Sequence, residues 1–145
     1  MVGALGMIAE GRAAFVPQNE ELVTHAAKIS AAEEYIDWSK DAKSIHNIIR
    51  GLTPAPGAKT VLRMEGREPV MLRIEPGEPV ESSQNAAPGT LVCMDGDALL
   101  VACGSGAYRI TRLRPAGKST MSAADFRNGR LRGLAEPCGV LGGKE

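Results

Sequence analysis

The sequence predicts a mainly β fold: a small barrel, closed or partly open, entered through an N-terminal helical linker and finished by a short C-terminal helix. Three observations predict it. From Ala58 onward apolar residues recur with a period of two, which alternates side chains between the two faces of a strand. Gly-containing turns cut this region into short strands. Ahead of it, Ala42, Ile45, Ile48, Ile49 and Leu52 recur at steps of three and four, the spacing of a helix with one buried face. A two-sheet sandwich is the alternative arrangement of the same strands.

Ala4 to Glu10 reads as a short helical end stopped by Gly11. Such an apolar scrap has too little surface to bury itself, so residues 1–16 are expected to be the remnant of a larger domain's last helix. Phe15 to Thr24, with Pro17-Gln18-Asn19, reads as an extended linker. Ser30-Ala31-Ala32-Glu33 has the spacing of a capping box and predicts a short helix after it. Ser39 is the expected cap of the main helix, Lys40 to Leu52, with Asp41 favourable in its first turn. Gly51, Pro54 and Pro56 end that helix.

In the strand region, Val61 and Arg63 alternate with Leu62 and Met64 before the turn Glu65-Gly66-Arg67. Val70, Leu72 and Ile74 then alternate with Met71 and Arg73, and Pro76-Gly77 closes the strand. Ser82 to Gly89 is a polar loop. Thr90 to Met94 and Ala98 to Cys103 are joined by Asp95-Gly96-Asp97, a good hairpin turn. Gly104-Ser105-Gly106 leads into a last strand, Ala107 to Arg114, and Ser122 caps a short helix through Asn128, stopped by Gly129. From Gly133 onward the chain reads as a loose tail. The resulting division is a remnant at 1–16, a helical linker at 17–57, a β domain at 58–132 and a flexible tail at 133–145.

A length of 145 residues and a 43% hydrophobic fraction suit one domain with a real core. Aromatics make up only 3%, so aliphatic side chains must fill most of it. The formal charge is zero but unevenly placed. Arg109, Arg112, Arg114, Lys118, Arg127, Arg130 and Arg132 face Asp125 alone between Arg109 and Arg132, a net of +6. Between Glu65 and Asp97 seven acids meet Arg67 and Arg73, a net of −5. A basic C-terminal third suits a phosphate-bearing partner, and also suits a solvated surface whose halves compensate. Cys93, Cys103 and Cys138 form no metal-ligand spacing with His25 or His46. They are expected to be reduced thiols in a cytoplasmic protein, with Cys93 and Cys103 as small core residues. No metal site is expected, and no run approaches the ~20 apolar residues of a membrane span.

Arg112 and Arg114 carry the best functional case. Two residues apart on a strand, their side chains leave the same face, and Lys118 follows on the turn. Such a row suits a phosphate backbone, since Arg makes bidentate phosphate contacts. The same row also protects an exposed strand against edge pairing. Arg50, Lys28 and Lys59 are weaker candidates for the same role. His46-Asn47 has no base, nucleophile or orienting acid at useful spacing. Gly104-Ser105-Gly106 lacks the helix and the Lys-Ser/Thr of a phosphate-cradling loop and reads as a tight turn. Trp38 is expected to anchor the helical segment to the barrel.

Several separated segments resemble the C-terminal domain of the methionyl-tRNA formyltransferase family, in the family's order. Thr24-His25-Ala26-Ala27-Lys28-Ile29-Ser30 resembles a Thr-Tyr-Ala-x-Lys-Ile segment, with His25 in place of Tyr. Ile36-Asp37-Trp38-Ser39, Ile45-His46-Asn47-Ile48-Ile49-Arg50, Pro54-Ala55-Pro56-Gly57-Ala58 and Asn85-Ala86-Ala87-Pro88-Gly89-Thr90 follow. Leu113 to Gly129, with its Pro115-Ala116-Gly117-Lys118 turn, completes the set. Nucleotide-sugar formyltransferases share the Ile-Asp-Trp segment but generally lack that turn. Arg114 stands where Gln is usual, and Ser119 where a second Lys is common.

The resemblance implies an oligonucleotide-binding-like barrel that holds initiator tRNA by its backbone, while 10-formyltetrahydrofolate supplies the formyl group on a separate nucleotide-fold domain. The family's catalytic Asn, His and Asp lie on that domain. This chain is therefore expected to lack catalytic residues, to bind no cofactor itself and to be silent alone. Its expected partners are initiator tRNA, the missing catalytic domain and, through the apolar N-terminal segment, a second copy. The rival implications are the C-terminal domain of a small-molecule formyltransferase, or a stand-alone interaction module left by truncation.

Overall fold

The computed structural model describes residues 2–82, 85–134 and 136–143, with the side chains of 93–95 outside that description. Helix α1 spans Val2–Ala9 and buries none of its residues. Gly11 ends it in the left-handed region, at φ +67°. The segment that follows is extended apart from one 3-10 turn, Glu20–Leu22, in which Glu21 N–H donates to Asn19 Oδ1 at 3.0 Å.

The capping box at Ser30 forms, but no helix follows it. Ser30 N–H donates to the Glu33 carboxylate at 2.8 Å, and Glu33 N–H donates to Ser30 Oγ at 3.4 Å. These bonds hold the Glu33 carboxyl below its usual range. The chain then turns extended because Ile36 N–H donates to Lys59 C=O and Lys59 N–H donates to Glu34 C=O. Sheet-like pairing outcompetes a helix too short to pass its nucleation cost.

The main helix, α2 (Ala42–Leu52), starts two residues later than expected. Asp41 is its cap, accepting from Ser44 N–H at 2.9 Å, while Ser39 is turned away to bond Asp37. The Ser44 hydrogen bonds hold the Asp41 carboxyl below its ordinary value. Ala42, Ile45, Ile49 and Leu52 face inward, as their spacing predicts.

Nine strands follow among the described residues: β1 (Ala58–Met64), β2 (Arg67–Ile74), β3 (Glu78–Val80), β4 (Leu91–Asp95), β5 (Ala98–Ala102), β6 (Ala107–Ile110), β7 (Arg112–Pro115), β8 (Met121–Ser122) and β9 (Val140–Gly142). They form two antiparallel sheets rather than one closed barrel, a five-stranded sheet in the order β8–β7–β2–β1–β9 and a four-stranded sheet in the order β3–β6–β5–β4. The fold is thus mainly β, as expected.

The predicted strand from Ala107 to Arg114 divides at Thr111. Its first half pairs with β5 and β3 and its second with β2 and β8, so one run of chain serves both sheets. The chain from β2 to β3 does the same around Pro76-Gly77. Such corners let two twisted sheets enclose one core.

Ser122 caps a short helix, α3 (Ala123–Phe126), by accepting from Asp125 N–H at 3.0 Å. A π-helical turn, Arg127–Leu131, continues it, so Gly129 lies within the turn instead of stopping the helix. Arg67 reaches across to donate to the carbonyls of Arg130 and Arg132, which are free at that end. The stretch read as a loose tail contains β9. It pairs with β1, with Leu141 opposite Leu62, and buries Leu141.

Ile45, Ile49, Leu62, Ile74, Tyr108 and Phe126 are among the residues that fill the single core. Trp38 is 3% exposed there and donates Nε1–H to Thr60 Oγ1 at 3.0 Å. Thr60 is fully buried and donates onward to Gly142 C=O at 3.1 Å. The relay ties linker, β1 and β9 together. Trp38 is the anchor that the sequence predicts. Cys103 is buried as expected, while the Cys93 side chain lies outside the described residues.

Replacing Thr60 by the isosteric Val strands the buried Trp38 N–H and removes a donor from the half-buried Gly142 C=O. Thr60→Val should cost about 1–3 kcal/mol in denaturant unfolding. Thr60→Ser, which keeps the hydroxyl, should lose less. Equal stability of the Val variant and the parent would show that the relay contributes nothing.

Candidate nucleic-acid interface

Alternation along β1, β2 and β7 decides which side chains reach solvent on the five-stranded sheet. Ala58, Thr60, Leu62 and Met64 point inward on β1, leaving Lys59, Val61 and Arg63 on the outer face. On β2, Val70, Leu72 and Ile74 are buried and Met71 and Arg73 face out. On β7, Leu113 and Pro115 are buried, Arg114 is half-buried and Arg112 is exposed.

Register then aligns the cations. Lys59 sits opposite Arg73, and Arg73 sits opposite Arg114, so three positive side chains cross three strands in one line. Neighbouring strands are roughly 5 Å apart, giving a row about 10 Å long. Arg112 lies two residues along β7 on the same face, opposite Ser122. After Pro115 the chain turns, with Lys118 N–H donating to Pro115 C=O, and Lys118 lines one cleft with Arg73 and Arg114. Met71, Arg73, Arg114, Ala116 and Lys118 line a cleft of about 300 Å³ there.

Lys59 is ion-paired with Glu34 of the linker. Among the described residues, no carboxylate is within ion-pair distance of Arg73, Arg112, Arg114 or Lys118. Like charges directly opposite each other on a sheet repel. Beyond Lys59, this face therefore carries positive charge that no described carboxylate pairs with.

Arg112, Arg114, Lys118 and Lys59 thus share one face. Arg50 does not join the row; it is exposed on the last turn of α2, with Asn47 Oδ1 at 3.5 Å. Lys28 is exposed in the extended linker, and no described contact ties it to the sheet. Arg73 is the residue that sequence reasoning missed. Its outward position was readable from β2, but its place beside Arg114 depends on a pairing between strands some forty residues apart.

The other polar groups have structural work. His46 Nδ1 shares a hydrogen bond with Tyr108 Oη at 3.2 Å, and that buried hydroxyl also accepts from Gly77 N–H at 2.8 Å. Gly104 N–H donates to the carbonyls of Trp38 and Lys40. A Cβ at Gly104 would sit 1.8 Å from Ser39 C=O, so this turn is a seat for the linker. Burial, with the Asp41 charge adding to it, pushes the Cys103 thiol up to about 12. No group of His, Cys, Asp and Glu able to hold a metal occurs among the described residues.

Residues 28–131 match the family model described as formyl transferase, C-terminal domain. The chain belongs to that family. It is 40% identical over 147 residues to a methionyl-tRNA formyltransferase of Desulfovibrio desulfuricans, covering 98% of this chain and 43% of the relative. It is 41% identical over 130 residues to the methionyl-tRNA formyltransferase of Brucella ovis, covering 90% of this chain and 40% of the relative. The chain thus spans less than half the length of these curated relatives. Among solved structures, a HypX variant from Aquifex aeolicus superposes with a TM-score of 0.67 at 22% identity, over 93% of this chain and 23% of that one. HypX in complex with tetrahydrofolic acid gives 0.65 at 21% identity, over 91% of this chain and 22% of that one. Those two likenesses show the fold alone. Among the described residues no helix is long and apolar enough to cross a membrane.

The raised Cys103 value predicts a thiol that stays protonated and inert. In the native chain Cys103 should resist iodoacetamide at pH 8 and react once guanidinium unfolds the protein, as read by peptide mass mapping. Because the folded value is raised, the stabilising contribution is complete below the ordinary thiol value and is lost as pH climbs through it toward about 12. Ready labelling of native Cys103 at pH 8 would contradict its burial.

Proposed function

We propose that this chain is the tRNA-binding part of a methionyl-tRNA formyltransferase, holding initiator tRNA while a separate catalytic domain transfers the formyl group from 10-formyltetrahydrofolate. One observation carries the reading. Arg112 and Arg114 on one sheet face, and Lys118 on the turn beside them, have no carboxylate in ion-pair distance among the described residues. A polyanion supplies the missing charge.

The contacts expected are to phosphates. Two arginines offer bidentate donors, and Lys118 adds a point charge from the turn. Backbone contacts position a nucleic acid without reading its bases, so the domain recognises tRNA by shape and charge. Each phosphate contact releases condensed counterions and makes affinity fall steeply with salt. Base choice and formyl transfer belong, in this reading, to the rest of the enzyme. The chain alone transfers no formyl group and binds no folate.

Filter binding of initiator tRNA to the purified chain, titrated against salt, tests the proposal. Binding should be measurable at low salt. The Arg112→Ala/Arg114→Ala variant should weaken it roughly tenfold or more and lower the salt slope by about one to two. Absence of binding at low salt, or binding indifferent to both substitutions, defeats the RNA reading.

A further inference from the structure

Arg73 is the innermost cation of the row, with Lys59 on one side and Arg114 on the other. Directly opposed residues in an antiparallel pair have Cα atoms roughly 4.5–5.5 Å apart, so the two side chains leave the sheet side by side. Lys59 has Glu34; Arg73 and Arg114 have no such partner among the described residues. Met71, Pro115, Ala116 and Lys118 line the same cleft. Low-dielectric walls around cations concentrate the field inside such a cleft.

The Arg73 side chain also lies against the turn that follows α2. A Cβ built on Gly57 would lie 3.3 Å from Arg73 Cδ and 3.9 Å from Nε, so the side chain runs across the bare backbone of the turn after α2. Gly57 adopts φ +87°, which glycine tolerates and other residues rarely do. The Pro-Ala-Pro-Gly turn thus touches the cationic row at Arg73. A preplaced guanidinium loses less conformational freedom when it binds.

We propose that the cleft between Arg73, Arg114 and Lys118 is a seat for a single phosphate group, with Arg73 as its central ligand and Gly57 as the residue that positions Arg73. The inference rests on the RNA-binding reading to the extent that the phosphate is a phosphodiester of an RNA backbone. The arginines donate to its oxygens in pairs, and Lys118 closes the open side. One phosphate relieves the Arg73–Arg114 repulsion, so both cations contribute to its capture.

Two measurements on the 145-residue chain test this. Arginine Nε–Hε resonances are followed during titration with inorganic phosphate, with chloride as the ionic-strength control. Initiator tRNA binding is measured for Arg73→Gln, Arg73→Lys and, as a distant control, Arg12→Gln. Arg73→Gln should raise the tRNA Kd roughly tenfold, against less than about twofold for Arg12→Gln. Arg73→Lys keeps the charge and should retain the salt slope while recovering only part of the affinity. Phosphate should shift the Arg73 and Arg114 resonances saturably.

If tRNA binds the parent chain and Arg73→Gln, shown folded by its thermal melt, binds equally well, the seat is overturned and the RNA reading stands. If the parent chain binds no tRNA, the RNA reading fails and the phosphate titration decides alone. Saturable shifts at Arg73 then uphold a seat for free phosphate, and a response no different from chloride overturns it.

Discussion

The hydrogen-bond relay from Trp38 through Thr60 to the carbonyl of Gly142 joins three segments that are far apart in the sequence. It lies in an apolar core, where each unpaired polar group would cost free energy. Thr60 must therefore face inward with both partners in place. Strand side chains alternate, so an inward Thr60 sends Lys59 outward, and the β1–β2–β7 register carries Arg73 and Arg114 to the same face. A slip of one residue in β1 would put Lys59 in the core and Thr60 in water. The positive face is thus a consequence of a buried contact on the opposite side of the sheet.

That face combines local repulsion with an external opportunity. Opposed cations disfavour the sheet, and the linker offsets one of them by placing Glu34 beside Lys59. The linker itself is secured by Trp38 and by the carbonyls that Gly104 N–H binds. Arg73 and Arg114 have no carboxylate within ion-pair distance among the described residues. Of the acids between Glu65 and Asp97, Glu78 pairs with Arg109 on the other sheet.

Much of this architecture could be read from short-range pattern. The stripe on α2 and the alternation of β1 and β2 are decided by local periodicity and survive packing unchanged. Failures came where tertiary contacts outbid local signals. Ser30 and Glu33 form their box, yet Ile36 and Lys59 pair across the chain and leave no room for a helix. Ser39 lost the capping position because Asp37 took its hydroxyl. Val140–Gly142, three residues in a Gly- and Pro-rich stretch, is a strand only because β1 offers it an edge. Arg112, Arg114 and Lys118 were visible as one basic run, whereas Arg73 joins them through strand pairing, which the linear sequence does not display.

The central claim is that one face of one sheet meets the phosphate backbone of tRNA. Backbone amide shift mapping of the chain, with and without initiator tRNA at low salt, tests it most directly. The perturbed residues should cluster at Lys59, Arg73, and Arg112 through Lys118, with β4 and β5 unaffected. Perturbation centred on the β3–β6–β5–β4 sheet, or none at all under conditions where the chain is folded, would contradict the account.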